Sequence, residues 1–276
     1  MNQSDLSDVE IHGLVDTLYR RYHYDFRGYA RASPRRRLPA AMSRLGCRTL
    51  SELQSRLLQD GGSLPVLLDH LTIQVSDLFR DPRYFRSLRE RVVPVLRTYP
   101  RLKIWVAGCS SGEEVHSFAI LLQEEGLLER SLIYATDINP RALELAAAGI
   151  YDLERIAGFT LNHRLSGAPG SLSDYYTAAY GRAVFDRALR RHVVFSDHSL
   201  ATDSVFSEVQ LVSCRNVLIY FDRALQDRAV GLFRDALCRR GFLGLGARES
   251  LRFSGHAGAF EDCVAEDRIY RRREAS

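Results

Sequence analysis

Apolar residues follow a helical spacing through the first third of the chain. Leu14, Leu18 and Tyr22 lie four residues apart, and leucines repeat a similar spacing between residues 53 and 71. Side chains spaced in this way lie on one face of a helix. The pattern predicts an all-helical N-terminal domain over residues 1–97.

From residue 102 onward, the apolar residues form short continuous runs separated by helical patterns. Leu102–Ala107 and Leu132–Thr136 are each followed by a helical pattern. Later runs of the same kind occupy residues 193–195, 209–213, 242–246 and 268–271. Strands that alternate with helices form parallel sheets covered on both faces, so residues 98–276 are predicted to form an α/β domain. Residues 150–192 interrupt this alternation and are rich in Tyr, Gly and Ser, which predicts an inserted subdomain.

Composition narrows the class of protein. The chain has 276 residues, of which 46% are hydrophobic and 26% charged, as in an ordinary globular protein. No apolar run approaches the ~18 residues that cross a bilayer, and the polar, acidic N-terminus is unlike a secretory signal. The five cysteines are an odd number without a CxxC pair, which argues against disulfides or a zinc site and favours a reducing compartment. We therefore expect a cytoplasmic protein without a metal centre.

Positive charge is concentrated near the N-terminus. The formal net charge is only +4, but the first forty residues contain Arg20, Arg21, Arg27, Arg31, Arg35, Arg36 and Arg37. Such a cluster suits an acidic partner surface or nucleic acid. The alternative is a solvated helix face whose counter-charges lie elsewhere, and the residues alone leave this open.

A glycine loop joins the first predicted strand to its helix. It begins at Gly108, reaches Gly112 and continues into Glu113 and Glu114. Glycines allow a tight bend and a close approach to a ligand, and a helix N-terminus offers free N–H groups. The loop has neither GxGxxG nor a following Lys-Ser/Thr, so a phosphate fits poorly. The two carboxylates instead suit a ligand with a positive amine, although a tight turn without any ligand is the alternative.

Asp137 follows the second predicted strand. In dinucleotide-binding folds an acid at this position accepts the hydroxyls of an adenosine ribose. The alternative is a cap for the helix that begins near Pro140, because Asp-x-x-Pro is a capping pattern. We favour the ribose-binding role.

Two further polar segments are candidates for the same site, because ligands of open parallel sheets bind beyond the carboxyl ends of the strands. Cys214–Asp222 follows the fourth predicted strand, and burial in a core explains neither Arg215 nor Asn216. Thr72–Pro82 is a polar stretch between helical segments. It is either a cover for the ligand or a plain linker, and physical reasoning alone does not choose.

Together these segments resemble the chemotaxis receptor methyltransferase family, often called CheR. AGCSSGEE (107–114) resembles AGCSTGEE of the family, ATDINPRAL (135–143) resembles ATDIxxxAL, and CRNVLIYFD (214–222) matches the most specific family motif. VSDLFRDP (75–82) resembles TxFFRDP, and LGARESLRFS (245–254) resembles the variant LGxKESL. The similarity extends over essentially the whole chain.

The resemblance implies a class I S-adenosylmethionine-dependent methyltransferase fold with a Rossmann-like sheet, an all-helical N-terminal domain and a small inserted antiparallel β-subdomain. It implies methyl transfer from S-adenosylmethionine to glutamate carboxylates of a chemotaxis-type receptor, which gives glutamyl methyl esters and S-adenosylhomocysteine. Arg80 and Tyr220 would lie beside the transferred methyl group, Glu113 or Glu114 would hold the methionine amine, and Asp137 would hold the ribose. The other implied cofactor-binding residues are Gln74, Ser76, Gly108, Gly112, Ser199, Leu200, Arg215 and Asn216.

The resemblance also implies a partner and shows three departures. Arg27, Arg31, Arg35, Arg36 and Arg37 would face the acidic cytoplasmic helical bundle of a methyl-accepting receptor, with the protein acting as a monomer. The family usually has Asn in place of Gln74, Thr in place of Ser76 and Asn in place of Ser199. Because one lost hydrogen bond to a buried polar group costs ~1–3 kcal/mol, these changes could weaken cofactor binding roughly tenfold or more.

The implied reaction requires no general base. A glutamate with an unperturbed pKa near ~4.3 is already a nucleophile at neutral pH, and alignment of the reacting atoms can supply ~7–11 kcal/mol. Two other functions stay open at this point. One is a non-catalytic receptor-binding protein, which Gln74 and Ser199 motivate. The other is a nucleic-acid methyltransferase, which is disfavoured because CRNVLIYF stands where an Asp/Asn-Pro-Pro-aromatic segment is usual.

Overall fold

The N-terminal part of the chain is a compact group of four helices. The computed structural model describes residues 6–30 and 32–274. Ser7 and Glu10 form a capping box at the start of the first helix. The predicted helical faces meet in one core, in which Leu14, Leu18 and Leu53 are fully buried. The helices are α1 (Asp8–Tyr22), α2 (Ala32–Leu45), α3 (Leu50–Gln59) and α4 (Leu64–Leu71).

A second group of short helices precedes the sheet. It consists of α5 (Pro82–Ser87), a π-helical turn (Leu88–Val92) and α6 (Val93–Leu96). Phe85 belongs to the core under the sheet and not to the core of the first four helices. The division of the chain at residue 97 remains a prediction, and this packing favours a division before α5.

The C-terminal part is built on a seven-stranded sheet in the order β6-β2-β1-β7-β8-β10-β9. The first five strands in this order are parallel to their neighbours, whereas β10 runs antiparallel to both β8 and β9. The strands are β1 (Leu102–Ala107), β2 (Ser131–Asp137), β6 (Val193–Asp197), β7 (Val209–Cys214), β8 (Leu237–Leu245), β9 (Phe260–Val264) and β10 (Ile269–Arg272). The sequence predicted all of these strands except β9.

Helices cover both faces of this sheet. Successive residues of β1 alternate between two cores, with Ile104 and Val106 in one and Trp105 and Ala107 in the other, as a strand buried on both faces requires. The covering helices include α7 (Glu113–Glu124), α8 (Pro140–Ala148) and α11 (Arg223–Ala236). Among residues 6–30 and 32–274, no helix is long and apolar enough to cross a membrane.

The predicted insertion forms a separate small sheet. Its three antiparallel strands lie in the order β3-β5-β4, which confirms the expected β-subdomain. Two helices belong to the same segment. The elements are β3 (Ile150–Asp152), α9 (Ile156–Leu165), β4 (Tyr176–Ala179), β5 (Arg182–Phe185) and α10 (Arg187–Arg190).

The topology of the main sheet determines where a ligand can bind. From β1 the chain proceeds outward through β2 to β6, and it then returns to the other side of β1 as β7 and β8. The connections therefore diverge between β1 and β7, and open parallel sheets bind ligands at such a switch point, beyond the carboxyl ends of the strands.

Candidate active site

One cavity lies at the switch point and collects most of the residues selected from the sequence. It is lined by residues of the β1–α7 loop, the end of β2, the loops after β6 and β7, and the segment after α4. The lining residues that the sequence predicted are Gln74, Ser76, Arg80, Gly108, Glu114, Asp137, Ser199, Leu200, Arg215, Asn216 and Tyr220. Gly112 and Glu113 do not line it.

The two glycines of the β1–α7 loop have different neighbours. Gly108 has φ +74°, and a Cβ there would meet Val217 Cγ2 at 2.5 Å, so glycine lets the loops after β1 and β7 approach each other. Gly112 has φ +90°, and a Cβ there would meet the Cα of Ala146 at 2.7 Å. Gly112 therefore packs against α8 and does not reach the cavity.

The two glutamates that open α7 point in different directions because neighbouring helical residues are turned by about 100°. Glu113 is fully buried, and its Oε1 accepts a hydrogen bond from Arg155 Nη1 at 2.7 Å while Oε2 accepts one from Ser111 Oγ at 2.7 Å. Glu114 lines the cavity, and its Oε1 accepts from Ser213 Oγ at 2.7 Å. Of the two acids that sequence reasoning left as alternatives for an amine, only Glu114 reaches the cavity.

Asp137 is 8% exposed and lines the cavity at the end of β2. Its Oδ2 accepts from Ser110 N at 2.9 Å and its Oδ1 from Asn139 N at 3.0 Å, which leaves further lone pairs on both oxygens. Burial raises the pKa of this carboxyl, and the backbone N–H donors oppose that effect. The capping alternative is wrong, because the side chain of Asn139 caps α8.

Arg215 is buried in the wall of the cavity and is neutralised there. Its guanidinium donates to Glu114 Oε2 at 3.0 Å and to Asp81 Oδ2 at 2.7 Å. It also lies 4.1 Å from the centre of the Tyr84 ring. With two carboxylates and an aromatic face as partners, this arginine fixes the cavity wall.

Arg80 occupies a strained part of the segment after α4. Its neighbours Phe79 and Asp81 have φ of 50° and 56°, and Ser110 and Asn216 on other cavity loops have φ of 51° and 61°. Non-glycine residues held in the left-handed region concentrate at functional sites. The guanidinium of Arg80 donates to Val75 O at 3.2 Å and forms no ion pair with any carboxylate among the described residues. Its charge therefore remains available to a ligand.

The residues at the three departures from the family pattern are held by internal hydrogen bonds. Gln74 accepts from Ser110 Oγ at 2.7 Å and donates to Thr72 Oγ1 at 3.1 Å. Ser199 Oγ accepts from Ala201 N at 3.3 Å and so holds the loop after β6. The carbonyl of Ser76 accepts from Arg155. Each residue thus stabilises its own loop as well as lining the cavity.

An unpaired buried acceptor lies in the wall of the cavity. The Oδ1 atom of Asn216 is buried and has no hydrogen-bond partner within the described ranges. A buried polar atom without a partner calls for a ligand or water. With Glu114 and Asp137 in the same cavity, the donor and acceptor set fits a ligand that has both a cationic amine and ribose hydroxyls.

Comparison with known proteins identifies the family. The family model described as "CheR methyltransferase, SAM binding domain" matches residues 74–268, and the one described as "CheR methyltransferase, all-alpha domain" matches residues 10–72. The chain belongs to the CheR methyltransferase family. It therefore has the S-adenosylmethionine-binding domain of that family, with the class I fold, as the resemblance implied.

Relatives are similar over most of the chain. The protein Cher3 of Pseudomonas putida is 55% identical over 266 residues, which cover 96% of this chain and 97% of that protein. Chemotaxis protein methyltransferase 1 of Pseudomonas aeruginosa is 35% identical, over 78% of this chain and 80% of its own length. The chemotaxis protein methyltransferase of Listeria innocua is 31% identical, over 74% and 75% respectively.

The basic residues predicted to face a receptor have different surroundings in this CheR-family protein. Arg27 pairs with Asp25 at 2.7 Å, and Arg35 pairs with Asp8 at 2.6 Å. Arg37 points its Nη1 toward the carbonyls of His70 and Thr72, at 3.4 and 3.5 Å. Arg36 is exposed, and Arg31 lies outside the described residues. Part of the basic cluster therefore has internal partners, in line with the alternative of counter-charges elsewhere in the fold.

Several lining residues were not predicted from the sequence. His198 contacts Trp105 edge-to-face, with ring centres 5.2 Å apart, and it lines the cavity beside Ser199. Tyr29 comes from the N-terminal helical part and lines the same cavity as Tyr220. The position of His198 after a strand could have drawn attention to it. No sequence pattern relates Tyr29 to residues almost two hundred positions away. Within residues 6–30 and 32–274 there is no cluster of His, Cys, Asp and Glu that could hold a metal ion.

Proposed function

We propose that this protein transfers the methyl group of S-adenosylmethionine to glutamate side chains in the cytoplasmic helical bundle of a chemotaxis-type receptor. The observation that carries the proposal is the cavity at the sheet switch point, which combines Glu114 and Asp137 with Arg80, an arginine without a carboxylate partner in the described part of the chain. Membership of the CheR family supports it, and so do relatives named as chemotaxis protein methyltransferases.

The acids of the cavity suit the two ends of the cofactor. Asp137 would accept the ribose hydroxyls with the lone pairs that Ser110 and Asn139 leave free. Glu114 and Asn216 would accept from the amine of the methionine part, since the Glu114 carboxylate keeps unused lone pairs and Asn216 Oδ1 has no partner among the described residues. Gly108 would let the backbone approach the ligand closely.

The chemistry assigned to the chain is positioning. The bound cofactor would supply an electrophilic methyl group on a sulfonium. A substrate glutamate is ionised at neutral pH, so no residue has to remove a proton. Burial raises the pKa of the Cys109 thiol in the cavity wall, which keeps that residue a poor nucleophile.

Arg80 is the residue best suited to orient the substrate carboxylate. Of the two arginines that line the cavity, Arg215 is committed to Glu114 and Asp81, whereas Arg80 has only a carbonyl partner among the described residues. A guanidinium matches the two oxygens of a carboxylate. Tyr220 would shape the pocket beside the methyl group.

The proposed setting is the cytoplasm, with the protein acting as a monomer on its receptor. The exposed Arg36, together with Arg27, Arg31, Arg35 and Arg37, would contribute positive potential toward an acidic helical bundle. Because several of these arginines have internal partners, we expect their combined field to matter more than individual contacts.

The decisive test is methyl transfer from radiolabelled S-adenosylmethionine to a purified receptor. Label that alkali releases as methanol would identify a carboxyl methyl ester. Label on RNA or DNA instead would identify a nucleic-acid methyltransferase, and no transfer despite tight S-adenosylhomocysteine binding would identify a non-catalytic protein. Either result would overturn the proposal.

Arg80→Ala tests the assigned role. We expect the dissociation constant of S-adenosylhomocysteine to change less than about threefold, while turnover on the receptor falls about 10- to 100-fold, the equivalent of one charge-assisted hydrogen bond. Arg101→Ala is the matched control. Arg101 is exposed and directly precedes β1, so it lies at the amino ends of the parallel strands, whereas the cavity lies at their carboxyl ends. Unchanged turnover in Arg80→Ala would contradict the role.

A further inference from the structure

A short backbone pairing joins the N-terminal helices to the cofactor cavity. Tyr29 and Phe221 form an isolated antiparallel bridge. The N–H of Ala30 donates to the carbonyl of Tyr220 at 2.8 Å, and the N–H of Asp222 donates to the carbonyl of Gly28 at 2.8 Å. The segment before α2 is therefore fixed directly against the loop that carries Tyr220.

The side chain of Tyr29 is held firmly at this junction. Its ring centre lies 4.8 Å from that of Phe26 and 5.0 Å from that of Phe221. The residue lines the same cavity as Asp137. Two aromatic contacts and the backbone bridge leave the ring little freedom to turn away from the cavity.

The hydroxyl of Tyr29 has no hydrogen-bond partner among the described residues. Its oxygen is not fully buried but accessible at the cavity, so it is free to pair with a ligand there. Burial raises the pKa of Tyr29, and the nearby carboxylates of Asp137 and Asp25 raise it further. The hydroxyl therefore stays protonated at neutral pH and is a hydrogen-bond donor.

A donor at this position complements what Asp137 can offer a ribose. A carboxylate only accepts hydrogen bonds. When the two ribose hydroxyls donate to Asp137, their oxygen atoms still have lone pairs that need a donor. We propose that Tyr29 is a cofactor-binding residue whose hydroxyl donates to the ribose of the adenosyl group held by Asp137.

The proposal makes the cofactor site composite. The part of the chain that matches the S-adenosylmethionine-binding family model begins at residue 74, whereas Tyr29 lies in the part that matches the all-alpha model. The N-terminal helices would then complete the cofactor site in addition to facing a partner. This inference rests on the proposed use of S-adenosylmethionine, but it concerns a different residue and a different bond from the methyl-transfer step.

Tyr29→Phe tests the proposal with little risk to the fold, because it removes one oxygen and keeps the ring contacts. Calorimetry with S-adenosylhomocysteine should give a dissociation constant about 3- to 10-fold higher than that of the wild type, the equivalent of one hydrogen bond. Tyr134→Phe is the matched control, because Tyr134 is a half-buried tyrosine that contacts Phe206 and lies outside the cavity lining.

An analogue that lacks both ribose hydroxyls distinguishes the assigned bond from a general packing effect. With 2′,3′-dideoxy-S-adenosylhomocysteine, wild type and Tyr29→Phe should bind equally well. Equal affinity of the two proteins for S-adenosylhomocysteine itself would overturn the proposal. The same weakening with both ligands would also overturn it, since the hydroxyl would then act elsewhere. Failure of the wild type to bind S-adenosylhomocysteine would instead refute the proposed function.

Discussion

Glu249 makes a quantitative prediction about the loop after β7. It is 4% exposed and comes from the LGARESL segment, to which the sequence assigned no role. Its Oε2 accepts from Gly246 N at 2.6 Å and from Asn216 N at 2.9 Å, and its Oε1 accepts from Ile219 N at 3.3 Å. Burial raises the pKa of this carboxyl, and the backbone donors oppose that effect. One buried side chain thus holds the loop that carries Asn216 and Tyr220.

The magnitude follows from counting what Glu249→Gln removes. If the amide oxygen occupies the Oε2 position, two charge-assisted hydrogen bonds become neutral ones, and the new NH₂ faces the N–H of Ile219. The weakened bonds cost about 1 kcal/mol each, and the unsatisfied pair of donors costs about 1–3 kcal/mol. Relief from burying a charge offsets part of this. We expect the free energy of unfolding to fall by about 2 kcal/mol.

Urea unfolding and calorimetry together test this prediction. Because Asn216 and Tyr220 would be less firmly held, the affinity for S-adenosylhomocysteine should fall about tenfold, which corresponds to about 1.4 kcal/mol. The control Glu266→Gln changes a carboxylate that is 77% exposed and pairs with Arg83 on the surface, so it should alter stability by less than about 0.5 kcal/mol. Lost stability with unchanged affinity would refute the idea that Glu249 positions the loop. An unchanged free energy of unfolding would refute the estimated cost of weakening the hydrogen bonds to Glu249.

A half-buried arginine and a buried histidine give further predictions. Arg155→Ala should lower the free energy of unfolding by about 3 kcal/mol and weaken S-adenosylhomocysteine binding, because it leaves the buried Glu113 unpaired and releases the cavity residue Ser76; the surface control Arg182→Ala should show neither effect in the same two assays. Burial lowers the pKa of His116 from 6.5 to about 4, so between these values the unfolded state binds a proton that the folded state does not. Stability should therefore fall by about 2 kcal/mol from pH 7 to pH 5 through this residue alone, and urea unfolding of His116→Gln with the same pH slope as the wild type would contradict the assignment.

The fold was largely predictable because its strands are buried on both faces. Such a strand must be a short continuous apolar run, and Leu102–Ala107 is confirmed as β1 with the predicted bounds. The strand β9 was missed because four of its five residues face solvent at least in part: Glu261 and Asp262 are exposed, and Cys263 and Val264 are half-buried. An edge strand of this kind is specified by its partner β10, which sequence periodicity does not reveal.

The site was predictable where the strand ends alone define it. Asp137, Arg215 and Asn216 follow parallel strands, and the carboxyl ends of such strands meet at one edge. The prediction was less specific at Glu113 and Glu114, because adjacent positions in a sequence do not say which face of a helix each residue will occupy. It failed to find Tyr29, whose place depends on a bridge between two distant segments.

Polar residues outside the cavity explain why its loops can keep strained conformations. Glu249 holds the loop after β7, and Arg155 holds the segment after α4. His116 Nδ1 lies 2.9 Å from the carbonyl of Gly112 and 3.0 Å from the hydroxyl of Tyr151, which donates to the carbonyl of Ser111 at 3.1 Å. Tyr151 and Arg155 both belong to the inserted segment, so this segment supports two parts of the cavity wall, the β1–α7 loop and the segment after α4. A deletion of residues 150–192 should therefore abolish cofactor binding even if the main sheet still folds, because the positive-φ residues of those loops would lose the contacts that offset their strain.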